Sequence, residues 1–133
     1  MNILGIELES NRLNYVLLVG EGDEFEVAQF NRLVLTDTRS RESLRSFHDA
    51  TKTMFNGTKP DIIGVKDKPE SGRLRAGAAA LKMEGIMLAC ATCDVDFVSG
   101  KRINACENRE GLKVYLQPAF KAAVAAVRKL ATA

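Results

Sequence analysis

The chain has a single histidine and only three cysteines. It has no apolar run long enough for a bilayer, and no aspartate or glutamate between Val114 and Ala133. Each shortage excludes something. A membrane helix needs about 20 consecutive apolar residues, so a spanning segment is not expected. Met1-Asn2-Ile3-Leu4 opens the chain without a basic stretch or a cleavage site, so no signal peptide is expected and the cytoplasm is the expected compartment. His48 stands alone, with no serine or cysteine nucleophile and third partner to complete a hydrolytic triad. Cys90-Ala91-Thr92-Cys93 is a C-x-x-C, but it closes a predicted helix, where the dipole opposes a thiolate. A zinc site from Cys90, Cys93 and Cys106 would still need His48 or an acid as fourth ligand. Small residues packing a helix end are the simpler expectation. Asn56-Gly57-Thr58-Lys59 lacks the spacer of a phosphate-binding loop.

What is present describes one α/β domain over residues 1–133. Nearly half the residues are hydrophobic (46%), which excludes general disorder. The net charge is only +2, weaker than nucleic-acid binders usually carry. It is unevenly spread: residues 1–35 hold a net −4, residues 36–82 a net +4 and residues 83–133 a net +2.

Hydrophobic patterning predicts the elements. Asn2–Leu8, Leu13–Val19 and Glu24–Leu35 read as three strands joined by short turns, an antiparallel meander with a bulge near Gln29. Glu7 is a carboxylate inside an otherwise apolar strand. A helix follows, capped by Thr38 or Ser40, carrying Leu44, Phe47, Thr51 and Met54 and stopped by Asn56-Gly57. Ile62-Ile63-Gly64-Val65 is apolar on both alternations, as in a strand covered on both faces. Lys66-Asp67-Lys68 forms its charged tip, the place where open α/β sheets bind ligands. Ser71 is the expected cap of a long helix to Ala91, in which Gly77 and Gly85 predict a close approach of backbone to a neighbour. Asp94–Val98 is a fifth strand, Ser99 caps a short helix, and an alanine-rich helix runs from Pro118 to Leu130. That helix can pack closely on the sheet or on a second copy of the chain, so a homodimer stays open. Ser71-Gly72 could hold an anion at a helix start.

This order, with Ile3-Leu4-Gly5-Ile6-Glu7 in the first strand, resembles the ribonuclease H-like superfamily, in particular its RuvC-type Holliday-junction resolvase branch. Leu81-Lys82-Met83-Glu84-Gly85 resembles a stretch of that branch as well. Gly5-Ile6-Glu7-Leu8 and Lys82-Met83-Glu84 are also similar to a family of small uncharacterised bacterial proteins assigned to that superfamily. The resemblance implies a five-stranded mixed sheet, three antiparallel strands followed by two crossover strands, flanked by helices. It also implies a check on chemistry. Active members cut phosphodiester bonds with two divalent ions, Mg or Mn, held by converging carboxylates. Here Glu7 replaces the first-strand aspartate and Lys66 stands where the fourth-strand acid falls. Asp67 faces the other way by strand alternation. The last helix carries no acid, leaving Glu107 and Glu110 as substitutes.

Three readings follow. The first is a domain without a complete two-metal site, in which Lys66 neutralises Glu7 and nucleic acid or a protein is the partner. Lys66, Lys68, Arg73, Arg75 and Lys82 are then the candidate phosphate contacts. The second is a divergent metal-dependent nuclease using Glu7, Asp67 and Glu107 or Glu110. The third is a structural homodimer that binds no nucleic acid.

Overall fold

A computed structural model describes residues 1–132. The strands are β1 (Asn2–Glu9), β2 (Arg12–Glu21), β3 (Glu24–Val34), β4 (Ile62–Lys66) and β5 (Val95–Val98). The helices are α1 (Arg41–Thr58), α2 (Ala78–Cys90), α3 (Gly100–Asn104) and α4 (Gln117–Thr132). A 3-10 turn, Val114–Leu116, leads into α4. The sheet order is β3-β2-β1-β4-β5. β1, β2 and β3 pair antiparallel, while β4 and β5 join parallel through helical crossovers. The β2–β3 register slips between Leu17, opposite Gln29, and Leu18, opposite Val27. Ala28 is therefore the extra residue of the expected bulge.

Strand alternation gives the sheet two covered faces. Leu4, Ile6, Leu13, Ile63 and Val65 point to α1 and α2, meeting Phe47, Phe55, Met83 and Met87 in the main core. Ile3, Val16, Leu18 and Ile62 point the other way, to Phe120 and the alanines of α4.

The close approach in this fold is made by Gly5 and Gly64, in the middle of the paired strands β1 and β4. A Cβ on Gly5 would lie 1.8 Å from the Ala119 carbonyl oxygen, and one on Gly64 would lie 2.3 Å from that of Ala122. α4 thus lies with its backbone against the sheet, which only glycine below and alanine above permit. Gly77 and Gly85 do not play the role expected of them: both face open space.

Two helix ends also differ from expectation. The segment after Pro69 does not become helical at Ser71. Gly72 takes a left-handed φ of 91°, and the Ala76 amide donates to the Pro69 carbonyl at 2.6 Å, closing a loop. Gly77, extended, is the residue at which α2 starts. The Ser71-Gly72 helix-start site therefore does not exist, and Arg73 and Arg75 stand exposed on a loop. At the end of α1 the stop is Lys59 with φ 45°, its amide bonded to Phe55 O, while Gly57 stays inside the helix. The other predicted caps hold: the Ser40 hydroxyl accepts the Ser43 amide at 3.2 Å, and the Ser99 hydroxyl accepts the Arg102 amide at 3.3 Å.

Candidate functional site at the carboxyl ends of β1 and β4

Glu7 points to the α4 face because Ile3, Gly5 and Glu7 alternate with the core-facing Leu4 and Ile6. It is 6% exposed. Neighbouring strands place three polar residues beside it. β2 brings Asn14 directly opposite, β3 brings Arg32 opposite Asn14, and β4 ends at Lys66. The Lys66 ammonium lies 3.5 Å from Glu7 Oε2. Asn14 Nδ2 approaches Glu7 Oε1 at 3.5 Å, a long contact, and Asn14 Oδ1 accepts from Arg32 Nε at 2.7 Å. Arg32 in turn lies over the ring of Tyr115, 4.3 Å from its centroid, a favourable cation–π stack. The row Arg32–Asn14–Glu7–Lys66 therefore crosses four strands, with one carboxylate between two cations. Asn14 is fully buried, and its side-chain oxygen and nitrogen are both used, as a buried amide requires.

The other acids expected here lie elsewhere. Asp67 is exposed and follows Lys66, so it faces away from Glu7. It lies near Glu84 and Glu70: burial, then Glu70 and Asp67, push the Glu84 carboxyl above its ordinary pKa. Glu107 and Glu110 are exposed in the loop after α3. Arg109, between them, is tied to the Phe25 carbonyl and to Glu26 at the start of β3, the end of that strand remote from Arg32. Among the described residues no group of three or more His, Cys, Asp or Glu side chains comes together to hold a metal ion. The donor set beside Glu7 is an amide and an ammonium, and it does not fit a pair of divalent ions. The cysteines are likewise apart: Cys90 and Cys93 pack against the α1–α2 core, and Cys106 is buried with Val98 and Ile103 on the other side of the sheet. All three are free thiols. His48 is an exposed helix-surface residue beside Asp49.

The candidate cations do not form one patch. Lys66 lies on the α4 side. Lys68, Arg73 and Arg75 sit on the β4–α2 loop. Lys82 reaches across to the Thr38 carbonyl at 2.6 Å, beside α1.

The sequence reading missed a second ion pair. Asp96 of β5, opposite Gly64, is gripped by Arg102 through both carboxylate oxygens at 2.9 and 2.7 Å, with Lys129 at 3.8 Å. The hydrogen bond from Arg102 holds the Asp96 carboxyl below its ordinary pKa. Arg102 also donates to the Ala125 carbonyl, so this pair ties α3, β5 and α4 together. Alternation within β5 placed Asp96 on a buried face, which was the available signal.

The sheet order, the covered faces and the site at the strand ends define an α/β domain with the ribonuclease H-like fold. A family model described as "Protein of unknown function (DUF3010)" matches residues 1–126, and the chain belongs to that family. No curated protein matches the sequence. Among solved structures, the fold is similar to Thermus thermophilus RuvC, with a TM-score of 0.80 and 11% identity over 99% of this chain and 96% of that one. It is similar also to T. thermophilus RuvC in complex with a Holliday junction substrate, with a TM-score of 0.77 and 12% identity over 99% and 96% of the two chains. A weaker likeness, TM-score 0.50 and 10% identity, covers 79% of this chain and 37% of a ROK hexokinase from Thermus thermophilus. At such identities the likeness establishes the fold alone. Among the described residues no helix is long and apolar enough to cross a membrane.

Proposed function

We propose that this domain binds nucleic acid at the carboxyl ends of β1 and β4 and does not cut it by two-metal chemistry. The observation that carries the reading is the Glu7–Lys66 pair, at 3.5 Å. A two-ion phosphodiesterase needs converging carboxylates to offset the charge of its metals. Here the one buried carboxylate already faces an ammonium and, through Asn14, a guanidinium. Two cations against one carboxylate leave the row net positive, which favours phosphate over a metal ion. The adjoining loop adds half-buried Lys68 and exposed Arg73 and Arg75 against Asp67 and Glu70. The solved relative bound to a Holliday junction supports a branched DNA as the first ligand to try. In this reading Lys66 holds Glu7 in place, and the loop cations contact phosphates without reading bases.

The test is fluorescence anisotropy with a labelled four-way DNA junction in EDTA, followed by gel analysis with Mg or Mn. The expected result is salt-dependent binding without metal, weakened at least about tenfold by the triple change Lys68→Ala, Arg73→Ala, Arg75→Ala, and an intact junction throughout. No binding at low salt would overturn the nucleic-acid reading. Manganese-dependent cleavage abolished by Glu7→Gln would overturn the non-cleaving part and restore the divergent nuclease.

A further inference from the structure

On the side of the sheet away from α4, α1 and α2 lie next to each other and leave a shallow, open groove of about 800 Å³ along their shared surface. Its floor is apolar: Leu44 from α1, Leu81 and Ile86 from α2, with Gly85 between them. A side chain at Gly85 would meet nothing within 4 Å, so the helix backbone itself is bare there. Its rim is cationic: Arg39, Arg41, Arg45 and Lys82, with His48 at one end. Arg39, Arg41 and Arg45 have no salt-bridge partner among the described residues. Among the described residues the nearby acids make no ion pair with these three arginines, and the Asp37 carboxylate accepts only the Arg39 backbone amide. Glu42 accepts from the Ser40 hydroxyl, Asp49 lies beside His48, and Glu84 lies by Asp67 and Glu70.

We propose that this groove docks an acidic amphipathic helix of a partner protein. Charge and shape select that occupant. An amphipathic helix laid in a groove places apolar side chains at i, i+3, i+4 and i+7 on the floor. Carboxylates flanking that stripe would meet guanidinium forks, which bind them in bidentate fashion. Gly85 lets a partner backbone come close, as small residues do at helix–helix contacts. A second copy of the chain fits poorly: a two-fold contact sets the same patch against itself, crowding two copies of the cationic rim together. Nucleic acid would use the rim but gain nothing from Leu44, Leu81 and Ile86, because its affinity comes from phosphates.

The probe is a fluorescein-labelled, 18-residue designed helix with leucines at heptad spacing and glutamates on both flanks. Its controls are a scrambled peptide of the same composition and a version with lysine in place of glutamate. The full chain should bind the acidic helix at least tenfold more tightly than either control. Gly85→Trp fills the groove from an exposed position and should cut binding at least tenfold, as should the pair Arg41→Glu and Arg45→Glu. Lys101→Glu, on α3, should leave binding unchanged. Circular dichroism melts check that each variant is folded. Equal binding of the scrambled peptide, or no effect of Gly85→Trp on a folded chain, would overturn the proposal. A dimer in sedimentation that Gly85→Trp dissociates would assign the groove to a second copy instead. Displacement of the peptide by an oligonucleotide that itself loses affinity in Gly85→Trp would assign it to nucleic acid.

Discussion

Adding one methyl group to Gly5 should dislodge an entire helix. The new Cβ would stand 1.8 Å from Ala119 O, 2.9 Å from Ala119 C and 2.9 Å from Ala123 Cβ. Ordinary contact begins about 3.4 Å away, near the optimum for carbon pairs, so α4 must retreat by roughly 1.5 Å. The obstructing atom is backbone in the middle of a helix and cannot rotate aside. β1 is equally fixed, because it pairs with β2 on one side and β4 on the other. Retreat of α4 loosens the contacts of Ala119, Phe120, Ala123 and Ala126 with the sheet. Overpacking a core costs about 1–3 kcal/mol and occasionally more, and this case belongs at the top of that range. At roughly 4 °C per kcal/mol for a chain of this size, Gly5→Ala should lower Tm by about 12 °C. Gly64→Ala should do nearly the same against Ala122. Gly85→Ala is the contrast: it lies in an exposed helix interior with nothing near it, and should raise stability by about 1 kcal/mol. Urea denaturation and thermal melts of the three variants provide the assay. A Gly5→Ala domain within 0.5 kcal/mol of the parent, by roughly the spread of ordinary surface changes, would refute the account of α4 packing.

Three other outcomes follow from the charged groups. Asp96→Asn removes a two-pronged pairing with Arg102 and should cost about 2 kcal/mol at neutral pH, read as a shift of the urea midpoint. Because Asp96 is held below its ordinary pKa, its contribution is complete above the unfolded value near 3.9 and is lost as pH falls below it through the folded value. Parent and Asp96→Asn should therefore begin to converge in stability as pH falls below about 4, and meet once it has passed the lowered folded value. Lys66→Met strands Glu7 without its cation and should cost roughly 1–2 kcal/mol, less than a fully buried pair because Lys66 is partly exposed; Glu7→Gln combined with Lys66→Met should be more stable than Lys66→Met alone in a double-mutant cycle. Burial, with Asp61 and Asp94 nearby, pushes the Cys93 thiol up, so its alkylation by iodoacetamide should be slower at pH 7.5 than that of a free cysteine and should accelerate at higher pH.

The sheet was legible because its strands announce themselves through alternation, and Ile62-Ile63-Gly64-Val65 through apolarity on both faces. Glu7 stood out for the same reason, and its pairing with Lys66 follows from register once β1 and β4 are neighbours. What misled was glycine. Gly77 and Gly85 looked like contact points because a helix usually avoids glycine, yet one is a helix boundary and the other is exposed. The glycines that meet a helix, Gly5 and Gly64, sit in strands, and only the parallel pairing of β1 with β4 aligns them under Ala119 and Ala122. Ser71 looked like a cap because capping is local chemistry, but Gly72 in the left-handed region turned the chain first. Asn14, Arg32 and Tyr115 were invisible as a group because three different elements supply them. The Asp96–Arg102 clamp likewise depends on how α3 packs, which a five-residue helix does not disclose in advance.

The central claim is that the ends of β1 and β4 carry a salt-bridged platform in place of a two-ion cage. Calorimetric titration of the metal-free protein with manganese, beside Glu7→Gln, tests it most directly. The account predicts no saturable binding that depends on Glu7 up to millimolar metal. Two saturable sites, both lost in Glu7→Gln, would contradict it.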